Sequence, residues 1–255
     1  MNVYITKHGA HLRKKHGRII VEFHGEILQS IPTGNIDTVC LFGNVQFTTQ
    51  TMKEFLREGI EVAIFTERGR LIGQLTSPFT KDVYLRRSQH EIFKDEKFRV
   101  NYCRRIIVNK LENSISFLES YSGRIPEING NIEAIEKERN KISSEGRIES
   151  MLGIEGTAAR FYFDSFEKII GGKMGFKGRN HYPPEDPVNS LLSFGYVLLG
   201  NEISSLLDGA GFDPYLGILH YDRYGRSSLG QDILEVFRAP VIDHFVANCV
   251  NLSIF

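Results

Sequence analysis

Hydrophobic positions in the first third of the chain recur with a period of two, which is typical of β-strands. Short runs of alternating or β-branched residues are separated by turn signals, so they predict a region rich in sheet. The predicted strands are Val3 to Ile5, Leu12 to Lys14, Arg18 to Phe23, Glu26 to Ile31, Thr38 to Phe42, Val45 to Phe47, Glu61 to Phe65 and Arg70 to Leu75. His16-Gly17 and His24-Gly25 fall between successive strands and predict hairpins. Thr49 to Glu58 is the predicted helix in this region, with a threonine as N-cap and Gly59 as C-cap.

The period changes from two to about 3.6 after Ser77-Pro78, which predicts a domain boundary near residue 78. Apolar residues then step by three or four along one helical stripe. That stripe comprises Val100, Cys103, Ile107, Leu111, Ile115 and Leu118. Further helices are predicted at about 131–142, 147–170, 186–207 and 228–237, the last with Ser228 and Gln231 as a capping box. The sequence therefore predicts an α+β protein: a β-rich N-terminal domain with one helix over residues 1–78, then an all-α domain over residues 79–255.

Composition excludes several classes of protein. The 255 residues are 41% hydrophobic and 24% charged, which is typical of a globular chain and excludes disorder. Cys40, Cys103 and Cys249 are far apart and never form a CxxC pair, which argues against a disulfide framework and a thiolate metal site. The longest uncharged stretches have 15 residues, too few for a membrane span, and the first residues lack the apolar run of a secretory signal. We therefore expect a cytoplasmic protein with no membrane partner.

Charge alone does not indicate a partner, because 31 basic residues balance 31 acidic ones. A local basic cluster lies in and before the glycine-rich loop from Gly171 to Pro184. The cluster comprises Lys168, Lys173, Lys177 and Arg179. A loop of this kind could contact phosphate through its charges and backbone amides, and an ordinary basic surface loop explains the same residues.

Four residues could carry metal chemistry, and each also has a structural explanation. Asp232 and Glu235 are three residues apart, so they share a helix face that could bind a hard cation or face solvent. His220 lies in an apolar context, where a histidine can also be part of the core. Glu155 interrupts an apolar stripe and is predicted to face inward, which is costly without a partner. A metal ion, Arg160 or His220 could be that partner.

Four successive segments are the most specific strings in the sequence: GIEGTAARFYF (153–163), PPEDPVNSLLSFGYVLL (183–199), DPYLGILH (213–220) and RYGRSSLGQDILEVFR (223–238). They resemble the successive motifs of the universal CRISPR adaptation endonuclease, the integrase family that acquires spacers. Their order and wording match over about 85 residues, which is more specific than any single short motif. The N-terminal half is also similar to that family, through VCLFGNVQFTTQTMKEFLREGIEVAIF and LRRSQHEIF, so the resemblance covers nearly the whole chain.

The resemblance implies a metal site made by Glu155, His220 and Glu235, with Asp232 as a supporting acidic neighbour. One histidine and two carboxylates are a hard ligand set, which suits Mg²⁺ or Mn²⁺. The matching segments also hold four residues that could contact phosphate or the acidic groups. These are Arg160, Asn189, Arg223 and Arg226.

The function that the resemblance implies is a metal-dependent DNA integrase and endonuclease. Such an enzyme inserts foreign DNA fragments into a CRISPR repeat array through attack by a 3′ hydroxyl. Its expected partners are DNA, a small ferredoxin-like adaptation protein and a second copy of the chain, paired through exposed strand edges of the N-terminal sheet. Two alternatives stay open: a structure-selective nuclease of branched DNA that integrates nothing, and a DNA-binding scaffold without catalysis.

Two features depart from the family pattern. His181-Tyr182 stand where related sequences often have arginines, so basic contacts there are expected to be weaker. The chain ends at Phe255, soon after the last motif, whereas relatives usually continue through further helices. A C-terminally shortened catalytic domain is therefore expected.

Overall fold

The computed structural model describes residues 1–75, 83–180, 183–220 and 224–254. It confirms the predicted α+β class, because strands occupy the first part of the chain and helices the remainder. The chain divides into two compact units, residues 1–81 with 208–211, and residues 82–207 with 212–255. The predicted boundary at residue 78 lies outside the described residues.

Two four-stranded sheets form the first unit. The strands are β1 (Asn2–Ile5), β2 (His11–Lys15), β3 (Arg18–Phe23), β4 (Glu26–Pro32), β5 (Thr38–Phe42), β6 (Gln46–Phe47), β7 (Glu61–Phe65) and β8 (Leu71–Leu75). One sheet has the order β1-β5-β7-β8, with β1, β5 and β7 parallel and β8 antiparallel to β7. The other has the order β4-β3-β2-β6, in which β6 alone runs parallel to its neighbour. Apolar residues of both sheets share one core.

The two predicted hairpins are confirmed. His16 and Gly17 connect β2 to β3 with φ of 48° and 71°, and His24 and Gly25 connect β3 to β4 with φ of 49° and 85°. Positive φ at both central residues is the geometry of a type I′ turn, whose twist matches that of the flanking strands. Glycine at the second position adopts this conformation without strain from a Cβ atom.

The predicted helix of the first unit is confirmed as α1 (Thr49–Glu58). Thr48 is its N-cap, because its hydroxyl accepts a hydrogen bond from the backbone N–H of Thr51 at 3.2 Å. Gly59 ends the helix in the left-handed conformation, with φ of 70°. Phe55 is fully buried, which fixes α1 to the core formed by the strands.

Seven α-helices form the described part of the second unit. They are α2 (Val83–Ile92), α3 (Glu96–Ser122), α4 (Asn129–Ile142), α5 (Ile148–Ile170), α6 (Pro187–Gly209), α7 (Ser228–Phe237) and α8 (His244–Asn251). The predicted stripe on α3 is confirmed, since Cys103, Ile107, Leu111, Ile115 and Leu118 are buried and Val100 packs against them. α3, α4, α5 and α7 meet around this stripe, so α3 is the central element of the unit.

A π-helical turn, Arg238–Asp243, joins α7 to α8. Pro240 explains it, because proline has no N–H to donate to the carbonyl of Val236 and its ring would clash with that carbonyl in an α-helix. The free carbonyl of Val236 accepts a hydrogen bond from Asn113 Nδ2 at 2.8 Å. This bond anchors α7 to α3.

The predicted starts of two helices have different outcomes. Asp186 caps α6 as expected, since its carboxylate accepts a hydrogen bond from the N–H of Asn189 at 2.8 Å. The capping box of Ser228 and Gln231 is wrong, because Ser227 occupies the N-cap and its side chain caps no N–H. The hydroxyl of Ser227 contacts Pro214 O and Ser204 instead.

α6 has the length and apolar composition of a membrane span, a property that core helices of soluble proteins share. This helix is longer than the 15-residue uncharged stretch at 187–201, because it continues past the charged Glu202 to Gly209. Its side chains Val188, Leu192 and Tyr196 are buried in the helical core.

Candidate metal centre

Two of the predicted metal ligands meet around a lysine. Glu155 of α5 and Glu235 of α7 both form ion pairs with the ammonium of Lys110 of α3. Lys110 Nζ lies 2.6 Å from Glu235 Oε2, and it also donates a hydrogen bond to Glu155 Oε1. Glu235 is 6% exposed, while Lys110 and Glu155 are about one fifth exposed. Three helices therefore bring two carboxylates and one ammonium together at the edge of the core.

The charges of this cluster depend on one another. Burial disfavours the charged form of Lys110, but the carboxylates of Glu235 and Glu155 outweigh it and raise the pKa of the ammonium. Burial also disfavours the charged form of Glu235, but Lys110 and Arg238 outweigh it and lower the pKa of that carboxyl. Both groups are therefore ionised at neutral pH.

His220, the third predicted ligand, is held in place by Asp232. The carboxylate of Asp232 is fully buried and accepts hydrogen bonds from the backbone N–H groups of Ile218, Leu219 and His220 at 2.8 to 3.0 Å. Its Oδ1 also lies 2.8 Å from His220 Nδ1. Asp232 thus binds both the backbone before α7 and the imidazole ring.

This arrangement directs the other ring nitrogen toward Glu235. His220 Nε2 lies 3.7 Å from Glu235 Oε1. Because a carboxylate only accepts, the neutral imidazole carries its proton on Nδ1 and keeps a lone pair on Nε2. A carboxylate behind a histidine is the usual outer partner of a metal-binding imidazole.

Arg238 also forms an ion pair with Glu235. Its guanidinium lies 2.9 Å from Glu235 Oε1 and 4.7 Å from the ring centre of Tyr196. Tyr196 and Tyr162 both donate hydrogen bonds to the buried carboxylate of Asp243. All four residues line a cavity of about 40 Å³, together with Lys110, Glu155 and Glu235.

The donor set fits a hard divalent cation, although the side chains are not arranged around one. Two carboxylates and an imidazole are the oxygen and nitrogen ligands that Mg²⁺ and Mn²⁺ accept. Glu235 Oε2 is buried and already lies 2.6 Å from the ammonium of Lys110, so it faces a cation in the structure. Within the described residues no three acidic, histidine or cysteine side chains surround a common metal position. The ammonium of Lys110 lies between the carboxylates.

Among the described residues, Arg160, Asn189 and Arg226 form no ion pair with Glu155 or Glu235. Arg160 is exposed on α5, about 140° around the helix from Glu155. Arg226 is partly exposed in the loop before α7, and Arg223 lies outside the described residues. Asn189 is fully buried and organises the loop before α6, since its amide bonds Asp186, Gly178 O, Arg179 and Asn180 N. The structure therefore gives Asn189 a local structural role.

The predicted basic cluster divides into exposed and engaged groups. Lys177 is exposed and forms no ion pair within the described parts of the chain. Lys168 pairs with Asp164 at 2.9 Å, and Lys173 donates a hydrogen bond to Asn251 O at the end of α8 at 3.2 Å. Arg179 donates to Asn189 and Ser193, and burial lowers the pKa of its guanidinium. Three of the four basic side chains therefore already have partners within the protein.

Sequence reasoning missed Lys110, Arg238 and Asp243. Lys110 has a detectable signal, because it falls three residues after Ile107 on the buried side of α3, where a charge is as costly as at Glu155. Asp243 has no such signal. It reaches the same cavity as Glu235 through the π turn, and an α-helical period does not predict that turn.

Solved structures with this fold include a casposase and Cas1 proteins. A casposase bound to integration product matches with a TM-score of 0.84 and 22% identity, covering 100% of this chain and 74% of that one. A Cas1 protein from Thermotoga maritima matches with a TM-score of 0.82 and 25% identity, covering 100% and 80%. A Cas6-RT-Cas1–Cas2 complex matches with a TM-score of 0.81 and 24% identity, covering 100% of this chain and 28% of that one. The fold is that of the casposase and Cas1 class.

The sequence comparisons identify the family within this class. The profile described as CRISPR associated protein Cas1 matches residues 3–255. CRISPR-associated endonuclease Cas1 1 of Thermus thermophilus is 33% identical over 247 residues, which cover 96% of this chain and 74% of the relative. The chain belongs to the Cas1 family, as the sequence motifs predict.

Proposed function

We propose that this protein is a divalent-metal-dependent DNA endonuclease and integrase of CRISPR adaptation. Family membership supports the class of activity, since the Thermus thermophilus relative is named a CRISPR-associated endonuclease. The casposase of the same fold is described as bound to an integration product, which is consistent with strand joining. The observation that carries the proposal is that Glu155 and Glu235 share the ammonium of Lys110 while His220 Nε2 lies 3.7 Å from Glu235 Oε1, with Asp232 bonded to the imidazole.

Glu155, Glu235 and the Nε2 of His220 are the groups that would hold Mg²⁺ or Mn²⁺. A divalent cation bound there polarises a scissile phosphate and neutralises charge on the leaving 3′ oxygen. Asp232 accepts a hydrogen bond from the Nδ1–H of His220, which keeps the lone pair on Nε2 directed at the site. Arg238 pairs with Oε1 of Glu235 and Lys110 with Oε2, so the carboxylate is held through both oxygens.

The attacking group in integration is the 3′ hydroxyl of a DNA fragment, and in hydrolysis it is water. The same bonds are made and broken in the reverse reaction on a branched intermediate, so both directions are expected. DNA is the proposed substrate, and exposed basic groups such as Lys177 supply contacts to phosphate that do not depend on sequence. Lys168 and Lys173 add positive charge near this loop even though each has a partner in the protein.

A second copy of the chain and a small ferredoxin-like adaptation protein are the proposed protein partners. Strands β4 and β8 are sheet edges with exposed apolar side chains, Ile27 and Leu28 on one and Ile72 on the other. Symmetric pairing would cover such edges. Light scattering tests the dimer, because a species of one 29.0 kDa chain at tens of micromolar would contradict it.

A strand-joining assay tests the proposed activity. DNA fragments with a 3′ hydroxyl or a blocked 3′ end are incubated with a repeat-containing duplex, the adaptation protein and Mn²⁺ or Mg²⁺. Integration predicts joined products that need both the free 3′ hydroxyl and the metal, and that disappear in Glu155→Gln, Glu235→Gln and His220→Asn. Cleavage of branched DNA without joining would support a structure-selective nuclease instead. DNA binding without either product would support a scaffold.

A further inference from the structure

The place that a metal ion would take between Glu155 and Glu235 is held by a positive charge of the protein itself. Lys110 contacts an oxygen of each carboxylate, and its Nζ is 2.6 Å from Glu235 Oε2. Within the described residues Glu155 has no other ion-pair partner, whereas Glu235 also has Arg238. Lys110 is therefore the counter-ion that both carboxylates share.

An ammonium and a divalent cation cannot occupy this place together. Mg²⁺ and Mn²⁺ need carboxylate oxygens at close to 2 Å, and the ammonium covers those oxygens. Two cations that share the same carboxylates also repel one another strongly in a partly buried site. Metal binding at these carboxylates therefore requires Lys110 to leave them.

The structure offers a destination for the displaced ammonium. The cavity of about 40 Å³ is lined by Lys110 at the carboxylate cluster and by Asp243, Tyr162 and Tyr196. Asp243 is 1% exposed, and each of its carboxylate oxygens accepts one hydrogen bond from a tyrosine hydroxyl. Both oxygens can therefore accept a further hydrogen bond. Burial raises the pKa of Asp243 to about 6, and the nearby charge of Lys110 opposes that rise. The long flexible stem of lysine can reorient without movement of α3.

We infer that Lys110 is an internal counter-ion of the metal site, which a divalent cation displaces from Glu155 and Glu235 into the cavity beside Asp243. The inference rests on the proposed metal site. Lys110 is a positioning residue in this account, because it sets how tightly the carboxylates bind metal and holds them close together. A lysine with a purely structural role would not compete with metal.

Calorimetric titration of the full chain with MnCl₂ after EDTA treatment tests the competition. Lys110→Met keeps the length of the side chain and removes its charge, so Mn²⁺ should bind about tenfold or more tightly than to wild type. The thermal shift produced by saturating Mn²⁺ should also increase. Lys141→Met is the matched control, because it removes an exposed lysine paired with Glu138 at 2.6 Å, and it should leave Mn²⁺ affinity unchanged.

Two further variants keep the test decisive if Lys110→Met is poorly folded. Lys110→Arg retains the charge and holds two carboxylates more rigidly, so Mn²⁺ should bind more weakly than to wild type. Asp243→Asn removes the negative charge that receives the displaced ammonium, so it should weaken Mn²⁺ binding in wild type and have no effect on Mn²⁺ affinity in the Lys110→Met background.

The outcomes separate this inference from the proposed function. Mn²⁺ affinity that is unchanged or weaker in Lys110→Met, with wild type binding normally, would overturn the inference and leave the metal site intact. Equal effects of Asp243→Asn in both backgrounds would overturn the movement toward Asp243. If wild type binds no Mn²⁺, or if Glu155→Gln binds it as wild type does, the proposed metal site itself fails.

Discussion

Asp232→Asn is the substitution with the largest expected effect for the smallest change in shape. One oxygen of Asp232 accepts from the N–H groups of Ile218 and Leu219, and the other accepts from the N–H and the Nδ1 of His220. Asparagine has one acceptor oxygen and one donor NH₂ group. In either orientation of the amide, the NH₂ group faces two hydrogen-bond donors.

The magnitude follows from those four bonds. A hydrogen bond to a charged acceptor contributes about 1.5–3 kcal/mol, and a buried donor left unsatisfied costs a similar amount. Two of the four bonds are lost, and Asp232 is fully buried, so water cannot replace them. After partial relaxation of the loop, we expect the helical unit to lose about 3–5 kcal/mol of unfolding free energy. That is a large fraction of the stability of a typical domain.

The variant should also bind Mn²⁺ less tightly. If the NH₂ group faces His220 Nδ1, the imidazole must move its proton to Nε2 and lose the lone pair directed at Glu235. Denaturant unfolding followed by circular dichroism gives the stability change, and calorimetry gives Mn²⁺ affinity. Asp164→Asn is the control, because Asp164 is half exposed on α5 and should cost less than about 1 kcal/mol. A stability within 1 kcal/mol of wild type for Asp232→Asn would refute the reasoning.

Three other predictions follow from the same unit. Glu155→Gln should lower unfolding free energy by about 1–3 kcal/mol, because the carboxylate is paired with Lys110; a gain in stability by denaturant melts would show that it is unpaired. Lys177→Ala should reduce the slope of log DNA affinity against log salt by about 1, because Lys177 is exposed. Arg179→Ala should instead lower the unfolding free energy with little change in that slope, because Arg179 is bonded within the protein. Equal slopes for wild type and Lys177→Ala in a salt titration would contradict this. Burial raises the pKa of Asp243 to about 6. Between about pH 4 and pH 6 the folded protein therefore holds a proton on Asp243 that the unfolded chain releases. The unfolding free energy should fall as pH rises across this range. Asp243→Asn should remove that decline of about 2–3 kcal/mol, measured by melts across this range, and a wild-type curve that runs parallel to the variant would contradict it.

Local signals predicted most of the fold. The hairpins at His16-Gly17 and His24-Gly25, the Thr48 and Gly59 caps of α1 and the buried stripe of α3 depend on residues near each other in sequence, so periodicity and turn chemistry are sufficient. The bounds of α7 were predicted correctly, but its capping box was not, for a tertiary reason. The hydroxyl of the N-cap residue Ser227 contacts Pro214 O and Ser204 instead of a helix N–H, and neither contact is visible in the local pattern.

The candidate site was predictable to the extent that its residues violate a local pattern. Glu155 stood out because it lies on an apolar stripe, and the family resemblance added His220 and Glu235. Lys110 was not singled out, although it lies beside the buried stripe of α3, and a charge on a buried stripe does not say which residue it pairs with. The pairing of Lys110 with Glu155 joins positions 45 residues apart, so it needed the packing of α3 against α5. Asn189 was predicted to contact phosphate or acidic groups and Arg179 to contact phosphate, and both stay predictions. Within the protein the two side chains are bonded to each other, and Asn189 also bonds Asp186.

The π turn at Arg238–Asp243 makes this stretch tolerant of a shorter chain in a way that most helices are not. Its wider turn accommodates one residue more than an α-helical turn, so α7 and α8 keep the relative phase of an uninterrupted helix. Deleting one residue within an ordinary α-helix instead rotates everything that follows by about 100°. Deleting Pro240 would remove the extra residue together with the ring that forbids an α-helical turn, so Val246 and Val250 would stay in the core. This deletion is therefore expected to be less damaging than the loss of one residue from the middle of α7.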